Sequence, residues 1–164
     1  MNWAHLHLVV NHFPVVGLFF ALLLFVYAHF RKNLELTSAV LGLFVVVALS
    51  VVPALLTGHR AEGVAEHLPG VSAELIEAHG SAAHIAQYAA GALGLAALAG
   101  LTVTLVRKSL PQAMAVGILL LAALSGAAFG WTANRGGQIR HPEVRLDFEP
   151  PPAALGHEGS GRRH

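Results

Sequence analysis

Residues 9–29 read VVNHFPVVGLFFALLLFVYAH, 21 positions without one Asp, Glu, Lys or Arg. A helix rising 1.5 Å per residue needs ~20 such residues to cross the roughly 30 Å hydrocarbon core of a bilayer. A helix in water keeps one polar face, so an apolar stretch of this length on every face reads as a transmembrane span. Three more stretches are equally free of charge: 37–57, 82–106 and 112–133. No basic residue precedes the first, which also runs past the usual apolar length of a cleaved signal, so it is expected to stay in the protein as a span.

The composition agrees. Of 164 residues 55% are hydrophobic and only 12% charged, against about a quarter charged in a soluble domain, which excludes a water-soluble globule. Cysteine is absent, which excludes disulfides, iron–sulfur ligation and covalent c-type haem. Lys plus Arg number 10 against 9 Asp plus Glu, so no basic face points to nucleic acid.

The links at 30–36 and 107–111 are short, and the one at 58–81 is longer. Short links force antiparallel neighbours, so the expected fold is all-α, an integral-membrane up-down-up-down four-helix bundle over residues 1–145. Residues 146–164, rich in Pro, Gly and Ser, are expected to form a disordered tail. Small residues crowd the third and fourth spans (Ala89-Ala90-Gly91, Gly126-Ala127-Ala128) and permit close helix approach in lipid. Pro14 and Pro53 predict kinks. In the long link, Ala61–His67 is expected to form one short helix, and Ser72 to cap a second through Glu77 after a turn at Leu68-Pro69-Gly70. Arg31-Lys32 and Arg107-Lys108 mark the cytoplasmic side, which places both termini in the periplasm of a bacterial inner membrane.

Eleven histidines stand out in this composition. His5, His7 and His12 open the first span, His59 ends the second, His84 opens the third and His141 follows the fourth. His67 and His79 lie in the long link. Every span thus brings histidine to one end of the bundle, and only His29 lies at the other. His67, His157 and His164 read as incidental and His29 as interfacial. His12 lies inside an apolar block, where a polar group ordinarily faces an interior partner. His5 returns to nearly the same helix face seven residues before it, while His7 points elsewhere. Two readings stay open: a metal or haem site, and a hydrogen-bonded network without metal. Neutral imidazole suits haem iron, copper and zinc. A zinc or copper site needs three or four ligands, to which Glu62, Glu66 and Glu77 offer additions.

Three segments taken together, HLHLVVNHFP at 5–14, LPGVS at 68–72 with Leu75-Ile76-Glu77 and His79, and GGQIRH at 136–141 with Glu143 and Arg145, resemble a family of small four-helix bacterial membrane proteins. That family has no established function, and its relatives are associated with respiratory Rieske-type and cytochrome components. The resemblance covers residues 1 to about 145 and implies a redox or haem role without a mechanism. His5, His7, His12, His79 and His141 fall within its motifs; His59 and His84 depart from them.

The leading expectation is therefore a membrane electron-transfer protein binding b-type haem, a redox carrier or subunit rather than a stand-alone enzyme. His12 pairs with His79 or His84 across the diagonal of the first and third spans, with His59 and His141 as a second diagonal pair. Arg60, Arg135 or Arg140 would meet the haem propionates, and a quinol or a periplasmic protein would be the redox partner. One alternative is a copper- or zinc-binding protein or sensor using His5, His7, His12, His79 and His141. Another is a structural subunit of a larger respiratory complex, or a homo-oligomer, held in the bilayer without its own cofactor. No GxSxG or HExxH motif supports a hydrolase, and no charge inside a span marks an ion path.

Overall fold

The structure, a computed structural model, describes residues 2–149. Five α-helices follow in order: α1 Trp3–Val10, α2 His12–Arg31, α3 Leu34–Ala65, α4 Ala73–Arg107 and α5 Gln112–Arg140, before a 3-10 turn at Pro142–Val144. Helices α1 and α2 together make one span, so four stretches are long and apolar enough to cross a membrane. Neighbours pack in the cyclic order α2, α3, α4, α5, with α1 beside α3; α2 and α4 are diagonal, as are α3 and α5. This is the expected four-helix bundle.

Local chemistry sets the boundaries. The side-chain oxygens of Asn2, Asn33 and Ser72 accept hydrogen bonds from the backbone N–H groups of His5, Leu36 and Leu75, capping α1, α3 and α4. Pro14 separates α1 from α2: it has no N–H to offer the Val10 carbonyl, and its ring crowds that carbonyl, so α1 ends at Val10. Pro53 leaves α3 unbroken. At the opposite end α2 and α4 close with Lys32 and Lys108 in the left-handed region, at φ 50° and 54°.

Two sequence expectations need correction. The long link holds no separate helices. Ala61–Ala65 continues α3, because nothing after Pro53 interrupts the ladder and Ala61 is buried in the bundle. The turn of helix begun at Ser72 runs directly into α4, leaving only residues 66–72 as link. At 32 and 35 residues, α3 and α4 measure about 48 and 53 Å, well beyond a hydrocarbon core of ~30 Å. Gly136-Gly137, whose backbone freedom would let the chain turn back over the bundle end ahead of His141, does not make that turn. The helix persists through both and stops at His141, whose following proline disfavours helical backbone. The chain then folds back, and the Arg145 guanidinium donates to the carbonyls of Gln138, Ile139 and Gly70, tying the end of α5 to the link. The expected tail lies outside the described residues from 150 onward.

The interior is built from small side chains. Ala21, Ala82, Ala86, Ala90, Ala97 and Ala122 are buried around Phe44, Leu41, Leu93 and Ile118. Large apolar residues such as Phe19, Phe20, Leu49, Leu95 and Leu120 point outward. Buried Thr37, Thr57, Thr104 and Ser125 each donate to a carbonyl one turn back, which satisfies hydroxyls that have no water to turn to. A Cβ added at Gly94 would lie 2.6 Å from the Cβ of Ala48, a contact fixed by two backbones. Gly94→Ala is therefore expected to destabilise the bundle by about 1–3 kcal/mol through overpacking, read as a lower melting temperature in detergent. Gly42→Ala, where an added Cβ meets nothing within 4 Å, should leave that temperature unchanged or raise it slightly.

Candidate functional site

Two histidines meet across the bundle diagonal at the end where α1 begins and α5 finishes. His7 stands on α1 and His79 on the part of α4 that precedes its apolar stretch. Both rings are half-buried. Their centroids are 6.4 Å apart, with planes inclined at 77°. His7 Nδ1 lies 3.0 Å from the Ala54 carbonyl and 3.2 Å from Thr57 Oγ1, both on α3. His79 Nδ1 lies 3.1 Å from the Thr132 carbonyl on α5. A carbonyl only accepts, so each Nδ1 carries a proton and, in the neutral ring, the lone pair belongs to Nε2.

Two glycines make room for the rings. A Cβ at Gly58 would come within 3.2 Å of His7, and one at Gly136 within 3.0 Å of His79. These positions explain why glycine stands in helical backbone at both places, where it weakens the helix. Glu62, one turn beyond Gly58, is close enough to His7 to interact electrostatically. Each imidazole is thus oriented by a helix other than its own, through a backbone group that no side-chain substitution removes.

The other candidates behave differently. His79 is paired with His7, not with His12. His12 is exposed, and its Nδ1 donates to the Leu8 carbonyl one turn back, at the break between α1 and α2. Leu8 lies in the last turn of α1, whose carbonyls lack full helical partners, so the structure gives His12 a capping role that its depth in an apolar block did not reveal. His59 and His84 form a second pair, ring centroids 6.4 Å apart, exposed and on adjacent helices; His59 also donates to Leu55 O in its own helix. The expected diagonal pairing of His59 with His141 is absent. His141 lies just past α5 and donates to Glu143 at 2.9 Å. That exposed carboxyl is held below its usual range first by its own backbone N–H and then by His141.

His5 is exposed beside the Asn2 cap, and His67 donates back to Gly63 O. The Arg60 guanidinium lies 4.2 Å above the Trp3 ring, and Arg140 is exposed at the end of α5. Glu62, Glu66, Glu77 and His84 line one open groove. Among the described residues, however, no three His, Asp or Glu side chains converge as a metal would require. The participants missed from sequence are the carbonyls of Ala54 and Thr132, the Thr57 hydroxyl, and Gly58 and Gly136. Only the glycines left a trace, as helix-weakening residues near span ends.

Comparison with protein-family models, curated proteins and solved structures finds no match to this chain.

The geometry makes a spectroscopic prediction. In ¹⁵N spectra of histidine-labelled protein at neutral pH, His7 and His79 are expected as Nδ1–H tautomers. Gly58→Val, which displaces the His7 ring, should remove that signature from His7 and keep it at His79. Nε2–H tautomers at both rings would contradict the hydrogen-bond assignment.

Proposed function

We propose that the chain is a multi-pass membrane electron-transfer protein that holds a b-type haem between His7 and His79, at the periplasmic end of its bundle. One observation carries this reading: two half-buried imidazoles on diagonal helices, each with Nδ1–H on a backbone carbonyl and Nε2 free. A metal-binding histidine ordinarily has its other nitrogen held in this way, which fixes the ring and raises its basicity. Two imidazoles facing one ion at ~2 Å per nitrogen would have ring centres roughly 6 Å apart, and these lie at 6.4 Å.

The ligand count favours haem over a bare ion. Histidines meet in twos here, and no third His, Asp or Glu converges among the described residues. A structural zinc ion takes four ligands from protein, whereas haem iron takes its equatorial four from the porphyrin and needs only an axial pair. The bound group would supply one-electron redox chemistry. Around it, the Ala54 and Thr132 carbonyls would hold the two rings, Gly58 and Gly136 would leave them space, and Arg60, the one Lys or Arg of α3, would be its cation for a propionate. The motif resemblance to small four-helix proteins associated with respiratory components supports the same reading, and the clustering of Arg31, Lys32, Arg107 and Lys108 in the two short links at the opposite end favours a histidine end outside the cytoplasm.

A second reading, a copper or zinc protein using the same pair, has Glu62 in its favour as a neighbouring carboxylate. The two are separated by purifying the full chain from haem-replete cells and recording oxidised and reduced spectra beside elemental analysis. The expected result is a Soret band with iron near one per chain. His7→Ala and His79→Ala should each lower haem occupancy about tenfold or more while the helical circular dichroism persists; His12→Ala should not. Copper or zinc near one per chain without iron would replace haem by the second reading. A protein free of all three metals, destabilised by His7→Ala, would reduce the pair to a hydrogen-bonded brace.

A further inference from the structure

The contact between α3 and α4 carries three kinds of surface in succession. Inside the apolar stretch lies a groove of about 450 Å³, walled by Val51, Val52 and Leu55 of α3 and by Gln87, Gly91 and Leu95 of α4. One turn nearer the termini stand His59 and His84. Beyond them opens the groove of about 390 Å³ lined by Glu62, Glu66, Glu77 and Ser81. Steps of three and four residues connect Val51, Leu55, His59, Glu62 and Glu66 on one helix and Glu77, Ser81, His84, Gln87 and Gly91 on the other. Such steps keep to one helix face, so the three surfaces form one seam.

We propose that the apolar groove binds the ring of a lipid-soluble quinone or quinol, the exchange partner of the electron carrier argued above, on which the partner's role rests. The groove has the volume of a small-molecule site, for which ~300–1,000 Å³ is usual. Apart from Gln87 and Tyr88 its walls are hydrocarbon, which an isoprenoid tail and an acyl chain satisfy equally. The polar groups distinguish the two. Gln87 is half-buried in the groove wall with no hydrogen-bond partner among the described contacts. An acyl chain leaves its amide unpaired, at a cost, whereas a quinone carbonyl accepts from it. His84 stands three residues nearer the start of α4 on the same face, where it lines the neighbouring carboxylate groove. The slot is flat and open on one side: a Cβ added at Gly91 meets no atom within 4 Å. The carboxylate-lined groove beyond the histidines repels an apolar ring and sets where it stops.

The test uses the full chain in lipid nanodiscs and a photoreactive azido-benzoquinone with a short isoprenoid tail, its adducts mapped by mass spectrometry. Adducts are expected at 48–55 and 87–95, displaced by excess unlabelled short-tailed benzoquinone and not by added phosphatidylglycerol. Gly91→Phe fills open space rather than packed core, and should reduce labelling about tenfold or more by occupying the slot with the helical signal and the Soret band unchanged. Gln87→Leu removes one hydrogen bond and should weaken competition about threefold to tenfold. Labelling that Gly91→Phe leaves intact, or that phospholipid displaces as well as benzoquinone does, overturns the proposal and makes this an acyl-chain groove. A Soret band without labelled groove overturns the quinone site alone. A labelled groove in protein free of metal supports the site and overturns the haem reading.

Discussion

Close approach of α4 to α3 and α5 is the constraint from which the rest of the bundle follows. Lipid tails are as apolar as leucine, so burying hydrocarbon between spans gains little there, and contact has to come from packing. Gly94 against Ala48, Gly100 against Ile118, and the buried alanines of α4 allow that approach. Many large apolar side chains, Phe19, Phe20, Leu49, Leu95 and Leu120 among them, point outward instead. Water-soluble bundles place them the other way.

Once the helices are that close, every interior polar group must find its partner inside the protein. Buried hydroxyls do so within their own helix. His7 and His79 do not; each reaches a carbonyl on a neighbouring helix. These bonds tie α1 to α3 and α4 to α5, just where the bundle leaves its apolar stretch. The same bonds that brace the bundle also fix which ring nitrogen is free, and so what the pair can bind. Gly58 and Gly136 belong to this arrangement as spaces, where any larger side chain would push an imidazole away.

The length of α3 and α4 matters as much as their packing. Both continue past the apolar stretch, which carries Glu62 and Glu77 on helix instead of loop and sets Glu66 at the end of α3. Histidines and carboxylates therefore stand at set heights along one seam, with hydrocarbon below and acidic groups above. Arg145 closes this end by joining the last turn of α5 to the link at Gly70.

The amino-acid sequence by itself determined the four spans, their antiparallel order, the end at which the histidines gather and the Ser72 cap. Each rests on local chemistry: runs without charge, short links, a hydroxyl placed to accept a bond. Only the tertiary structure decided that His79 meets His7, that His59 meets His84, and that His12 turns back to the Leu8 carbonyl at the break between α1 and α2. The physical reason is rotational. A helix in water reveals its inward face through the alternation of apolar and polar residues, but a helix in lipid is apolar all round. Its rotation about its own axis is set by where glycine and alanine let a neighbour approach, and that fit exists only when the four helices are assembled.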